Sequence, residues 1–220
     1  MTPIETSAHQ LYEALAKALT QNGRIRVEDL ISASAAIVGE AIIGAAGEYN
    51  PRDHKYAPGS RVLSQKVNIL FCGDADFDQA PADSVVGILH TGLLGCGFVK
   101  TDFPDLKDVF TSFVANIGKA SDWGKVPLSI AKDHYPFIMP LRVTYETRAM
   151  VDNIFAPLDN NQAQRLQAAT LALSEVLCKT RDALNRCVAI TLALETVNGM
   201  AKTAPMTDAA MEKLKSGQKS

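Results

Sequence analysis

Residues 161–202 place the strongest limit on how this chain can fold. The stretch contains no proline and a single glycine, Gly199. Leu166, Ala169, Leu173, Val176, Leu177, Ala183, Leu184, Cys187, Ile190, Leu194 and Val197 recur at steps of three and four. That spacing puts them on one face of an α-helix. Arg165, Glu175, Lys179, Asp182 and Arg186 fall on the other face, as an amphipathic helix requires. Asn160 or Asn161 can cap its start, just after Pro157. A continuous helix here would be about 60 Å long at roughly 1.5 Å per residue. A compact domain of 220 residues is only about 45 Å across. The helix is therefore expected to bend, to break, or to project into a second copy of the chain. The last of these gives a homodimer, with this helix or the one over 27–46 at the seam.

The remainder of the chain reads as further helices. Residues 7–20 form a short amphipathic helix stopped by Asn22-Gly23. Residues 27–46 form a second, strong one, opened by Glu28 and Asp29, where the helix dipole favours acids. Its stripe of Val27, Ile31, Ala35, Val38, Ile42 and Ala45 faces a side that is also non-polar, with Ala33, Ala36, Ile43 and Gly44. A helix apolar on both sides belongs in the middle of a bundle, and small residues let another backbone come close. Helices are also expected over 60–73, 83–95, 102–117, 139–156 and 208–215. Ser60 and Asp102 act as caps, and Pro140 sits in a first turn. The fold class that follows is all-α: a single-domain bundle of six to seven helices with a long C-terminal helix. Residues 1–202 are its helical domain and 203–220 a polar tail.

Composition narrows the function classes. With 47% hydrophobic and 21% charged residues, the chain can bury a full core without metal or disulfide. A net charge of −2 gives no basic footprint for nucleic acid. No apolar run suggests a bilayer span, and residues 1–10 lack the basic start and apolar core of a signal peptide. Cys72, Cys96, Cys178 and Cys187 lack CxxC spacing and sit among apolar residues, as small hydrophobes do. The expectation is a reduced, cytoplasmic protein.

The chemistry-bearing residues concentrate in two irregular segments. Tyr49, Arg52, Asp53, His54, Lys55 and Tyr56 follow the helix over 27–46, and Asp133-His134 lies in the loop before Pro140. A carboxylate beside an imidazole can orient it, raise its pKa or join it on a metal. Should the loops meet, His54 would be base or ligand, Asp53 its orienter, Arg52 an anion anchor and His134 the distant contributor. Alternatively, all are solvated loop residues that cap neighbouring helices. Glu40 is a third candidate. A carboxylate on so apolar a helix must find a partner or raise its pKa, and it either faces a ligand cavity opposite Arg142 or Arg148 or forms a structural ion pair. Asp74, Asp76 and Asp78 begin like a calcium loop, but Gln79 and Val85 stand where glycine and glutamate are required. Neither a HExxH nor a phosphate-binding glycine motif occurs. No cofactor is identified. The leading expectation is a non-catalytic protein acting through self-association and binding of a partner or small ligand, with Glu40, Arg52, Asp53, His54, Tyr56, Asp133 and His134 as candidate ligand contacts. The alternative is an enzyme or metal-dependent binder at the two histidine loops.

Overall fold

Helix Val27–Ala46 (α2) is the centre of the molecule, as its two apolar faces require. Leu30, Ile31, Ala35, Ala36, Val38, Ile42 and Ile43 are all buried, and helices pack around it on several sides. The computed structural model describes residues 1–47, 56–73, 79–115 and 126–217, with side chains up to residue 212. Among the described residues the fold is an all-α bundle of nine α-helices with only isolated bridges between extended segments. The others are α1 (Pro3–Leu19), α3 (Gln65–Cys72), α4 (Val85–Gly95), α5 (Leu106–Val114), α6 (Pro140–Ile154), α7 (Gln162–Thr180), α8 (Arg186–Met200) and α9 (Asp208–Gly217).

The long C-terminal stripe breaks once. α7 ends at Thr180, and Asn185 restarts the chain as α8 by accepting the Val188 N–H on its side-chain oxygen at 3.2 Å. Both halves pack on α2, which a straight rod could not do. The break also explains why Ala183 and Cys187, expected in the buried stripe, are exposed. Arg181 and Arg186 hold the break in place, donating to the carbonyls of Cys96 and Gly97 at 2.6 and 2.8 Å. At about 28 Å for its 19 residues, α7 fits within the domain. Helix length therefore no longer calls for a second copy of the chain.

Small residues do for α2 what the sequence suggests. A Cβ on Gly39 would stand 2.5 Å from the Met200 Cβ and 2.8 Å from the Ala201 nitrogen, so α8 approaches the backbone of α2 there directly. α2 also has the length and apolar character of a membrane-crossing helix, which the reading of the sequence did not anticipate. Most of it is buried inside the protein, the position of a core helix.

Three further expectations change. The chain from Ser60 is extended rather than helical, pairing with the segment after α8: Ser60 O accepts the Ala204 N–H at 2.8 Å, and Val62 N–H donates to Lys202 O at 2.9 Å. α3 starts later, capped by Ser64. Thr203, Ala204, Met206 and Thr207, read as the start of a polar tail, are buried, Met206 against Ala36, Val126, Leu141 and Met200. Finally, Cys96 at the end of α4 and Cys178 in α7 form a disulfide, with Cα atoms 5.8 Å apart and a sequence separation of 82. Cys72, buried, and Cys187, exposed, take no part in a disulfide.

Candidate functional site

The first turn of α2 binds the segment that carries Asp133 and His134. Glu28 lies 3.1 Å from the Nδ1 of His134 and 3.4 Å from the Nε of Arg26. Arg26 also donates to the carbonyls of Asp133 and Tyr135 at 2.8 and 3.0 Å, and its guanidinium stacks 3.8 Å from the Phe137 ring centre. Asp29 accepts the N–H groups of Phe137 and Ile138 at 2.6 and 3.2 Å. Burial opposes ionisation of Glu28, but the His134 hydrogen bond, the backbone and Arg26 outweigh it and hold its carboxyl below the usual range. The charged side chains here all engage this connection or one another, although the Nε of Arg26, 3.4 Å from Glu28, makes no hydrogen bond. His134 thus ties a connection to the first turn of α2 through the Glu28 side chain.

The other end of α2 is different. Glu40 lies twelve residues beyond Glu28, about 18 Å along the helix axis. Together with Ile37, Ala41, Gly44 and the C-cap Gly47, it forms one wall of a cleft of about 530 Å³. Gly44 keeps that wall low: a Cβ there would meet only the side-chain oxygen of Gln162, at 2.8 Å. α6 supplies the second wall through Thr144, Arg148, Val151 and Asp152, and the start of α7 closes the end with Gln162 and Arg165.

Two ion pairs cross this cleft. Arg148 Nη2 is 3.3 Å from Glu40 Oε1, and Arg165 Nη1 is 3.4 Å from Asp152 Oδ1. Arg148 and Glu40 are each about one-fifth exposed, at 20% and 21%, so they are screened less than surface charges. The same Arg148 nitrogen donates to Met206 O at 2.9 Å, which ties the cleft to the buried segment after α8. The Nε of Arg148 is buried and has no acceptor. Arg165 is steadied by donation from its Nε to Asp159 O at 3.0 Å. Ile37, Ala41, Val151 and Phe155 give the cleft an apolar side. The arrangement therefore offers both charge signs and an unmet donor over a greasy floor.

The candidates read from sequence separate accordingly. Glu40 faces a cavity and pairs with an arginine at once, and of the two arginines proposed it is Arg148. Arg142 instead pairs with Glu146 at 2.7 Å along its own helix. Asp133 and His134 sit at the opposite end of α2. Tyr56 is exposed on the extended chain before α3. Arg52, Asp53 and His54 lie outside the described residues, as does the acidic run 74–78. Among the described residues no three His, Cys, Asp or Glu side chains gather to hold a metal. Asp152 and Arg165 were missed. Arg165 reads as an ordinary solvated residue in the first turn of a helix, and nothing local marks Asp152 as its partner thirteen residues earlier. No family model, no curated protein and no solved structure matches this chain.

Proposed function

We propose that the protein is a non-catalytic binding protein whose cleft between α2, α6 and the start of α7 takes a small zwitterionic molecule with an apolar body, of the amino-acid kind. The observation that carries this reading is the pairing of opposite charges across the cleft. Arg148 and Arg165 balance Glu40 and Asp152, so the described lining residues carry no net charge. A purely anionic or cationic ligand would satisfy one member of each pair and strand the other, at a cost. A ligand with both signs replaces both halves of a pair. Its carboxylate meets Arg148, whose Nε lacks an acceptor, and its ammonium meets Glu40. Bidentate geometry favours arginine in this role. The walls at Ile37, Val151 and Phe155 accept the apolar part. The disulfide supports an oxidising compartment, where such bonds persist, in place of the cytoplasm.

The test is thermal unfolding in millimolar free amino acids, simple carboxylates and simple amines. Apolar amino acids should raise the midpoint, and Arg148→Met should abolish that shift while keeping the fold. If no zwitterion shifts the midpoint, or carboxylates and amines alone do as well, the reading is wrong.

A further inference from the structure

Away from the cleft, α8 carries a buried polar stripe. Glu195, Asn198 and Lys202 follow one another at steps of three and four and are all buried. Lys202 lies in the turn that ends α8. Its Nζ donates to Asn198 Oδ1 at 2.6 Å and lies 4.6 and 5.1 Å from the ring centres of Phe110 and Phe113 on α5. The amine lines an open groove of about 390 Å³ whose apolar walls are Leu63, Phe110, Phe113 and Val114. Among the described lining residues, Lys202 is the one that ionises. Leu63 and Val114 stand at the rim, 66% and 64% exposed.

The amine has ring faces and the Asn198 oxygen beside it, but no carboxylate among the described lining residues of the groove. Arg61 stacks 5.3 Å from the same Phe113 ring, and Glu195 lies about two turns back along α8, bonded to the Ser129 N–H at 2.8 Å. Burial pushes the Lys202 ammonium down to about 8, with the Cys72 thiol of α3 opposing weakly. A lysine desolvated in an apolar pocket keeps more of its neutral, nucleophilic form. The lining includes no guanidinium among the described residues, so it lacks a bidentate clamp for phosphate or carboxylate.

We propose that Lys202 is a nucleophilic amine that captures aldehydes with an alkyl or aryl body in the groove between α3 and α5. The amine lone pair attacks the carbonyl carbon, and the carbonyl π pair moves to oxygen. Proton transfer from nitrogen to oxygen gives a neutral carbinolamine. Loss of water then forms the C=N bond. One amine and one aldehyde give one imine and one water, with no change of oxidation state. Phe110 and Phe113 hold the aldehyde's body beside the imine carbon.

The experiment treats the full chain with hexanal and sodium cyanoborohydride at neutral pH and follows each lysine by peptide mass spectrometry. Lys17, Lys107 and Lys179, all exposed, are internal references. Lys202 should be alkylated roughly tenfold faster than these, because burial favours its neutral amine and the rings of Phe110 and Phe113 hold the aldehyde beside it. Glycolaldehyde, which has no apolar body, should show a smaller preference for Lys202. Lys202 reacting no faster than the exposed lysines would overturn the proposal, and an equal preference with both aldehydes would overturn the role of the groove. Both results come from the unmodified protein, so neither depends on a variant that folds.

Discussion

The two ends of α2 carry similar residues and use them differently. Near its start, Arg26, Glu28 and Asp29 are consumed by one connection, with Asp29 serving two backbone N–H groups that have no other described acceptor. Near its end, Glu40 meets Arg148 across an open cleft, and the guanidinium keeps a donor in reserve. Charged residues by themselves therefore do not mark a site. Each end holds an arginine Nε with no hydrogen-bond partner, so what separates them is whether small residues leave an open cleft beside the charges. Gly44 and Gly47 leave that room, whereas Gly39, only five residues before Gly44, is filled by the backbone of α8.

The sharpest way to break this comparison is along the glycines. Gly39→Ala should destabilise by about 3 kcal/mol in urea unfolding, since its Cβ meets backbone atoms that cannot yield. Gly44→Ala should fall within about 1 kcal/mol of neutral, because only the Gln162 side chain must move and alanine favours a helix. Equal costs would mean that the cleft is not open.

Next in size are the carboxylates. Asp29→Ala should cost about 2–3 kcal/mol, as it leaves two partly buried N–H groups without an acceptor. Glu40→Ala should cost about 1 kcal/mol or less, because Arg148 keeps the Met206 carbonyl and some solvent. A larger loss at Glu40 would make it a structural residue.

The smallest effect is the pH dependence at the start of α2. Glu28 has its folded pKa held below the ordinary glutamate value of 4.5. A depressed carboxylate adds stability above its unfolded pKa and loses it as pH falls through the folded one. Wild-type stability should therefore fall more steeply below about pH 4.5 than that of Glu28→Gln, measured by unfolding midpoints across pH 3–6. Parallel profiles would show that the contact with His134 is not holding this carboxylate.

The sequence made some of this legible. The two-sided apolar pattern of 27–46 identifies a central helix, and its small residues indicate that another backbone comes close, although Gly39, where α8 does so, is not among those the pattern singles out. Glu40 stands out because it is a lone carboxylate on that helix, and Arg148 is among its natural partners. The break near Thr180 is less visible because neither proline nor glycine marks it. Its determinants are a short side-chain cap at Asn185 and two arginines that reach carbonyls 85 and 89 residues away. Long-range partners leave no local period. The same reason hides the Cys96–Cys178 bridge, the Arg165–Asp152 pair and the extended pairing of residues 59–62 with 202–204.

The bridge between α4 and α7 also changes how the chain is connected as a covalent object. It makes the 82-residue interval from Cys96 to Cys178 a closed ring. That ring includes α5, α6 and all but the last turn of α7. A single peptide cleavage anywhere inside it opens the ring without dividing the molecule. The segment bearing α1, α2 and α3 stays joined to the one bearing α8 and α9. Cleavage within the interval becomes visible as two fragments only after thiol reduction, whereas a cut before Cys96 or after Cys178 separates the chain at once.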